Sequence, residues 1–524
     1  MTSKRKGTSS TSSAKRQRVF ELGAPTEDDK QFQPTISSSG WSVRTVKRPL
    51  PMSLGAMAAR VFAKNLSALY DGEHVQESIR RQLQLLPETI ASRLFAVLKE
   101  VRPRMLSHAF ITAYFLRGDN ISLSNDLTQV NKHTIQSISR AGESLRRLEL
   151  RDLAEIGDAT FASIFQKLPH LEILVLRGCT KVSDKTVNSI ALSCPLLKVA
   201  NLSYTTPSTT ALTRLLTCCT NIEILKLAGV PKLTASFLGT LGTIVTATGA
   251  RVGSKLRTLK LRLIKTLDIP FEALLLTLPH LTTLDVSFTD LQHLPTTFPD
   301  DPDEYPTHMS KLSLLSTPIK VSLLPPLIAR FSHLRTLSLG ALGGQSTPTL
   351  RDDTLEELTL VLRDFRELEN ISLVGNAKLG FGTRGKQALA SFVKEVGRRC
   401  LSLSLASIPM LKSSALEGLL PQPTVLSEDA EAASVTPYDS PSTLRDLNIC
   451  NTAIGDEAVP YIASCTSLSR LVVSGTKFSS EGIMEIIDGC TLLEHIDLTA
   501  CRGVKITDRR RFFEVREHLC SATA

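Results

Sequence analysis

The most regular feature of this sequence is a short pattern of apolar positions that returns thirteen times. Each copy has apolar residues at its first, fourth and sixth positions, as in Leu171, Leu174 and Leu176. Most neighbouring copies are 24 to 28 residues apart, and the longest gap is 44 residues. Because successive side chains of a strand point to opposite faces, the fourth and sixth positions predict a short strand with one buried face. The first positions are Leu145, Leu171, Leu197, Ile222, Leu256, Leu281, Met309, Leu334, Leu368, Cys400, Leu444, Leu468 and Leu493.

A helical pattern follows the strand in each copy. In the second copy, Ser183 and Asp184 are suited to begin a helix that turns Val187, Ile190 and Cys194 to one face. A strand and a helix repeated every mid-twenties residues are typical of leucine-rich repeats, in which each unit buries its apolar face only against its neighbours. The sequence therefore predicts an α/β leucine-rich-repeat solenoid (horseshoe), with parallel strands on the concave face and helices on the convex face.

The repeats are predicted over residues 131–508, with two polar, acidic loop insertions at 293–309 and 421–443. Residues 509–524 are predicted to form a capping helix and tail, for which Thr507 and Asp508 supply a start signal. A solenoid needs caps because its end repeats have a neighbour on only one side.

Residues 51–130 are predicted to be a helical cap at the other end. Its first helix has an apolar stripe, and a second helix begins at Pro87 and continues the helical spacing through Ile90, Leu94, Phe95 and Leu98. The stripe of the first helix is Leu54, Met57, Ala58, Val61, Phe62 and Leu66.

Residues 1–50 are rich in Ser, Thr, Lys, Arg and Pro and have no apolar period, so they are predicted to be a disordered basic tail. The net charge of the chain is +10, and the tail, with ten basic and four acidic residues, carries +6 of it. Two basic clusters in the tail predict a loosely bipartite nuclear localisation signal. The clusters are Lys4, Arg5 and Lys6, and Lys15, Arg16 and Arg18.

The composition indicates an intracellular protein of the nucleus or cytoplasm. The start of the chain is polar, unlike a secretory signal, and no apolar run reaches the length needed to cross a bilayer. The ten cysteines include no Cys-x-x-Cys pair, so we expect reduced thiols. The sequence holds no pattern typical of a metalloprotease, a phosphate-binding loop, a nucleophile elbow or a carboxylate pair. We therefore expect no enzyme activity, no metal and no cofactor.

Four cysteines recur at one repeat position, three residues before the first motif residue: Cys194, Cys219, Cys465 and Cys490. Two more, Cys179 and Cys501, follow strands. This arrangement resembles the cysteine-containing, ribonuclease-inhibitor-like subclass of leucine-rich repeats. That subclass is found in F-box substrate receptors of cullin–RING ubiquitin ligases, in an antagonist of the mitotic exit network and in a repeat subunit of a fungal nucleotide-excision-repair ubiquitin ligase.

The N-terminal cap is similar to the entry of the last two of these families. LPETIASRLFAVL also looks like the opening of an F-box, although the second half of that box is missing. The resemblance implies a degenerate F-box-like segment that contacts a cullin or Skp-type adaptor. The candidate contact residues are Leu86, Pro87, Ile90 and Leu94.

The concave face holds the candidate partner-binding residues. In the first repeats they are mainly basic, which favours an acidic or phosphorylated protein partner. Only six tyrosines and one tryptophan are present, which disfavours binding of nucleic acid by base stacking. The candidates are Arg147, Arg151, Arg177, Lys226, Lys260, Arg262, Arg470 and Asp497.

Together these features predict a substrate-recognition subunit of a cullin–RING ubiquitin ligase, present as one copy in a complex and away from membranes. Two alternatives stay open at this point. One is a regulatory scaffold that binds and blocks a single partner, and the other is a DNA-repair accessory protein.

Overall fold

The computed structural model describes residues 43–45, 53–71, 73–240, 252–264, 271–295, 308–344, 349–381, 387–421 and 442–512. One sheet of fifteen strands runs through these ranges in the order β1-β15-β14 and so on down to β3-β2. All neighbours from β2 to β15 pair in parallel. The predicted α/β leucine-rich-repeat solenoid is confirmed.

The strands are short, mostly three residues. They are β1 Val43–Thr45, β2 Asn120–Ser124, β3 Arg147–Arg151, β4 Ile173–Val175, β5 Val199–Asn201, β6 Ile224–Lys226, β7 Thr258–Lys260, β8 Thr283–Asp285, β9 Lys311–Ser313, β10 Thr336–Ser338, β11 Asn370–Ser372, β12 Ser402–Ser404, β13 Asp446–Asn448, β14 Arg470–Val472 and β15 His495–Asp497.

The α-helices are α1 Leu54–Asp71, α2 Glu73–Leu85, α3 Glu88–Val101, α4 His108–Tyr114, α5 Lys132–Ser137, α6 Asp158–Phe165, α7 Asp184–Ser193, α8 Thr209–Cys218, α9 Ala235–Thr240, α10 Phe271–Thr277, α11 Leu324–Ala329, α12 Asp352–Leu362, α13 Ala388–Glu395, α14 Val459–Ala463 and α15 Ser480–Gly489. Short 3-10 helices lie at Pro103–Met105, Ile138–Arg140, Gly142–Ser144, Val321–Leu323, Gly397–Arg399, Ser413–Leu419 and Asp456–Ala458. A further helical stretch covers 506–512.

Each of the thirteen sequence motifs forms one strand, from β3 to β15. The fourth motif residue is the buried centre of its strand and pairs with its counterpart in the next repeat, as in Leu174↔Ala200 and Ala200↔Leu225. The register is constant because a slip of one residue would turn the leucines out of the core.

The structure contains one parallel strand that the motif count missed. Strand β2 lies within the predicted cap and pairs with β3, placing Ile121 and Leu123 beside Leu148 and Leu150. Its first motif position is Gly118, whose φ of 86° requires a left-handed backbone. The apolar signal is absent there because the turn favours glycine.

A second unpredicted strand lies inside the segment predicted to be a disordered tail. Strand β1 (Val43–Thr45) pairs antiparallel with β15, the last strand of the solenoid. The pairing provides partners for backbone groups that an open sheet edge would leave unpaired. The other residues of 1–50, the two basic clusters among them, lie outside the described residues, as do most of both predicted insertions and the end of the C-terminal segment.

The predicted helix over the first apolar stripe is present as α1, and the stripe is unevenly buried. Leu66 is fully buried, whereas 79% of Leu54, 43% of Met57 and 60% of Val61 are exposed. The apolar stripe is therefore buried at its C-terminal end and exposed at its N-terminal end.

Buried hydroxyls and thiols close the turns that follow the strands. The hydroxyls of Thr289, Thr317 and Thr452 donate at 2.6–2.7 Å to the carbonyl three residues earlier in the chain. Cys179 and Cys501 occupy the equivalent position and bond a carbonyl of the preceding repeat at 3.4 and 3.0 Å. These contacts satisfy carbonyl groups that would otherwise be buried without a partner.

Each of these turns also contains one residue with a left-handed backbone. The φ values of these thirteen residues lie between 48° and 75°. Nine of them are not glycine, although a Cβ makes this conformation unfavourable. The residues, from β3 to β15, are Asp152, Gly178, Tyr204, Gly229, Leu263, Phe288, Ser316, Ala341, Gly375, Ser407, Asn451, Gly475 and Ala500.

A carboxylate of one repeat caps the helix of the next repeat. Asp158, at the start of α6, accepts hydrogen bonds from the backbone N–H groups of Ser183, Lys185 and Thr186 at 2.9–3.2 Å. It also accepts hydrogen bonds from the hydroxyl groups of Ser183 and Thr186. Burial acts to raise the pKa of Asp158, but the hydrogen bonds from Ser183 and Thr186 outweigh it and lower the pKa. The cap therefore couples neighbouring repeats while Asp158 is ionised.

We expect Asp158→Asn to lower the free energy of unfolding by about 1–2 kcal/mol, because it weakens the cap of α7. Since the pKa of Asp158 is depressed in the folded state, the loss is full at neutral pH and shrinks as the pH falls through the folded value. Guanidinium denaturation at neutral and acidic pH measures both effects. Glu155→Gln is the control, because Glu155 forms only an exposed ion pair with Lys181 at 3.3 Å. Equal losses in the two variants would contradict the cap.

The buried cysteines should be inert towards alkylation. Burial raises the pKa of the Cys179, Cys194 and Cys219 thiols to about 12, whereas Cys218 is exposed. Because the thiolate is the reactive form, we expect iodoacetamide to label Cys218 in the native protein and the other three only after denaturation. Peptide mass mapping over time tests this, and labelling of Cys194 as fast as Cys218 would refute it.

Candidate protein-binding surface

The concave face is built from the residues on either side of each buried strand centre. Parallel pairing aligns these residues in columns that run along the solenoid, so that Asn201, Lys226, Lys260 and Asp285 lie side by side. Adjacent strands are about 4.8 Å apart, so a partner that lies across the strands meets one repeat after another. The columns turn a sequence period into a continuous surface.

Two predicted partner-binding residues are engaged with a carboxylate between them. Arg147 Nε donates to Glu149 at 2.7 Å, and Arg151 Nη2 donates to its other oxygen at 3.1 Å. Burial acts to raise the pKa of Glu149, but the two guanidinium groups outweigh it and hold the pKa below its usual value. The three side chains form a local ion triplet, so Arg147 and Arg151 carry less unbalanced charge than the sequence predicts.

The remaining basic candidates of the first repeats lie close together. Lys226 and Lys260 occupy the same column on neighbouring strands. Arg177 Cζ lies 5.8 Å from the ring centroid of Tyr204, and Arg262 Cζ lies 5.0 Å from that of Phe288. The structure thus brings four predicted cations to β4–β7 and adds two aromatic rings that the sequence reasoning missed.

The two predicted residues near the C-terminal end are far from this cluster along the sheet. Arg470 is exposed on β14. Asp497 on β15 accepts a hydrogen bond from the backbone N–H of Thr499 at 2.8 Å. The same contact, from a side-chain oxygen to the backbone N–H two residues later, is made by Asn201, Asp285 and Asn448. Asp497 therefore helps to close its own turn.

A groove of about 490 Å³ lies where the cap meets the first strands. Its lining includes Lys99, Asp126, Glu149, Arg151 and Arg177. Burial lowers the pKa of Lys99, whose Nζ donates to the carbonyl of Ser122 at 3.2 Å. The groove is lined by both acidic and basic side chains. Lys99 lies in α3, and the apolar spacing of that helix did not predict that Lys99 lines a groove.

The predicted ligase-contact residues lie at the corner between α2 and α3, with unequal exposure. Pro87 is exposed, Ile90 is 50% exposed and Leu86 is half-buried. Leu94 is only 5% exposed and packs in the core, so it supports α3 instead of facing a partner. Leu85 beside them is 74% exposed.

The recurring cysteines form a packing ladder. Cys219 Sγ lies 3.3 Å from the carbonyl oxygen of Cys194, and Cys490 Sγ lies 3.5 Å from that of Cys465. In the part of the chain that the structure describes, no group of three His, Cys, Asp or Glu side chains is placed to hold a metal ion. Within the same ranges, every helix is too short or too polar to span a bilayer.

No protein-family model matches the sequence, and no curated protein matches it either. Three solved structures show the range of folds to which the chain is similar. The Rad7 and Elc1 complex in yeast is 17% identical, with 87% of this chain and 95% of that chain covered and a TM-score of 0.49. An internalin from Listeria monocytogenes is 16% identical, with 70% and 89% covered and a TM-score of 0.38. A leucine-rich-repeat protein of Leptospira interrogans is 14% identical, with 83% and 92% covered and a TM-score of 0.37.

The class of the protein follows from its own strands. Fourteen parallel strands in constant register, each followed by a turn and most of them by a helix, define a leucine-rich-repeat solenoid. A leucine-rich-repeat solenoid is a protein-binding type of fold that offers an extended concave surface.

The ion triplet on β3 should make a measurable contribution to stability. We expect Glu149→Gln to lower the free energy of unfolding by about 1–2 kcal/mol at neutral pH, because it weakens two charged hydrogen bonds. Since the folded pKa of Glu149 is depressed, the difference from wild type shrinks as the pH falls through that value. Denaturation series at neutral and acidic pH measure it. A difference that stays constant with pH would contradict the triplet.

Proposed function

We propose that this protein is the substrate-recognition subunit of a cullin–RING-type ubiquitin ligase and performs no covalent chemistry itself. Its repeats hold a protein substrate, and its N-terminal helices hold a cullin or Skp-type adaptor. The observation that carries the proposal is that two surfaces of different chemistry lie at different places along the solenoid. One is apolar and lies on the cap, and the other is largely basic and lies on β4–β7.

The apolar surface is suited to a helix of a partner. Leu54, Met57, Ala58 and Val61 are spaced three, four and seven residues apart, so they lie on one face of α1. All four are exposed. Amphipathic helices dock on partners through apolar residues at such i, i+3, i+4 and i+7 positions. The corner formed by Leu85, Pro87 and Ile90 is the second adaptor contact that we propose.

The basic surface is suited to an acidic or phosphorylated protein substrate. Arg177 follows β4, Lys226 and Lys260 lie on the neighbouring strands β6 and β7, and Arg262 follows β7. Complementary charge raises the rate of encounter and selects among partners. The basic clusters of the tail, Lys4–Lys6 and Lys15–Arg18, support a nuclear place of action.

We expect the double variant Met57→Asp, Val61→Asp to lose the adaptor while it stays folded, because both side chains are exposed and a charge there disrupts an apolar interface. The measurement is quantitative mass spectrometry of proteins recovered with the tagged full-length chain from cells. We expect recovery of cullin and adaptor subunits to fall about tenfold or more. Circular dichroism should show an unchanged thermal midpoint.

Leu192→Asp with Leu360→Asp is the matched control. These leucines are 67% and 54% exposed on α7 and α12, outside the cap. Recovery of ligase subunits should be unchanged in the control. Absence of any ligase subunit with the wild-type chain would favour a regulatory scaffold. Binding to duplex DNA that falls steeply with salt would favour the repair accessory protein.

A further inference from the structure

Bulky side chains stand at three left-handed positions within four consecutive repeats. They are Tyr204, Leu263 and Phe288, with φ values of 60°, 63° and 59°. A positive φ is a clear outlier for bulky residues, and outliers of this kind are retained where they serve a function. The fold itself accepts glycine at the same position, as Gly178 and Gly375 show. Packing of the repeats therefore does not explain these three residues.

The rim strip is our name for the four residues that hold this turn position in the repeats of β5 to β8: Tyr204, Gly229, Leu263 and Phe288. Tyr204 and Leu263 are each 39% exposed, and Phe288 is half-buried. The Tyr204 ring extends over Gly229, where a Cβ would lie only 2.7 Å from its Cδ1 atom. Glycine at 229 is thus required for the ring to lie along the strip towards Leu263.

Two arginines fix the ends of the rim strip. Arg177 lies against the Tyr204 ring and Arg262 against the Phe288 ring, each from the preceding part of the solenoid. A guanidinium on a ring face orients both groups and leaves their outer edges available. The Nε atom of Arg262 is buried with no hydrogen-bond acceptor among the described residues. Tyrosine and arginine are enriched among the residues that contribute most to binding at the centre of protein interfaces.

The spacing of the strip selects an extended peptide. Tyr204 and Phe288 follow β5 and β8, which are three strand steps apart, or about 14 Å. Side chains four residues apart on an extended peptide have nearly the same separation, at about 13–14 Å. Lys226 and Lys260 lie on the two strands between the rings. A single-stranded nucleic acid stacks successive bases on neighbouring rings, and here a glycine and a leucine separate the two rings.

We propose that the rim strip binds an extended acidic protein segment that carries apolar side chains at positions i and i+4. One apolar side chain lies against Tyr204 and the other against Leu263 and Phe288, while acidic residues between them face Lys226 and Lys260. The inference rests on the proposed function and adds to it the chemical class of the substrate segment.

The test uses fluorescein-labelled peptides of about fifteen residues, made of Asp, Glu, Ser and Gly with one Phe and one Leu. The two apolar residues are placed at spacings of two, four or six, and binding to the full-length chain is followed by fluorescence anisotropy. We expect the i, i+4 peptide to bind about tenfold more tightly than the other two.

Glycine variants separate binding from stability. Tyr204→Gly and Phe288→Gly remove the rings but suit the left-handed backbone, so we expect an unchanged or higher thermal midpoint and a loss of affinity of about tenfold or more. Ser316→Gly and Ala341→Gly are the matched controls, because both residues hold the same backbone conformation in later repeats. We expect them to leave the affinity unchanged. A purely structural role would reverse this result, with a lower midpoint and unaltered binding for Tyr204→Gly.

Three results would overturn the proposal: no binding at any spacing, affinity that is the same in Tyr204→Gly and Phe288→Gly, or tighter binding of a thymidine oligonucleotide of similar length that depends on both rings. Recovery of cullin and adaptor subunits with the glycine variants is measured in parallel. Intact recovery together with absent peptide binding would refute the rim strip alone, whereas absent recovery with the wild-type chain would refute the ligase role.

Discussion

A strand of three residues has no stability of its own, and this constraint governs the whole structure. Each strand from β3 to β14 is held by hydrogen bonds to two neighbours in one register, and a leucine or similar side chain at its centre is buried only because the next repeat covers it. Buried polar groups in the turns must find partners within the same stack. Thr289 and Cys501 do this for carbonyls, and Asp158 does it for the start of α7. Stability is therefore a property of adjacent repeats.

The same constraint determines where the candidate binding residues lie. Because the strand centres are committed to the core, only the flanking columns and the left-handed turn residues are free to vary in chemistry. Lys226 and Lys260 belong to the columns, and Tyr204 and Phe288 belong to the turns. The candidate binding residues therefore occupy positions whose side chains the repeat core does not require.

The sequence predicted the thirteen strands from β3 to β15 because leucine spacing directly reflects which side chains the register buries. It missed β2, since Gly118 takes the place of an apolar residue at a turn that needs a positive φ. It predicted the helix α1 but not which part of its stripe is buried, because the spacing of Met57 and Val61 shows an apolar face without showing what covers it. The basic candidates were found one by one, whereas the ion triplet of Glu149 and the rings beside Arg177 and Arg262 depend on contacts between repeats that no local pattern reveals.

Strand β1 has a mechanical consequence. It is bound to β15 at one end of the solenoid, and eight peptide units later Ser53 enters the helical layer at the other end. An extended chain of that length spans at most about 29 Å. This chain length therefore limits the distance between the two ends of the solenoid while β1 stays paired with β15. If a large partner requires the two ends of the solenoid to move farther apart than this length, β1 must first detach from β15.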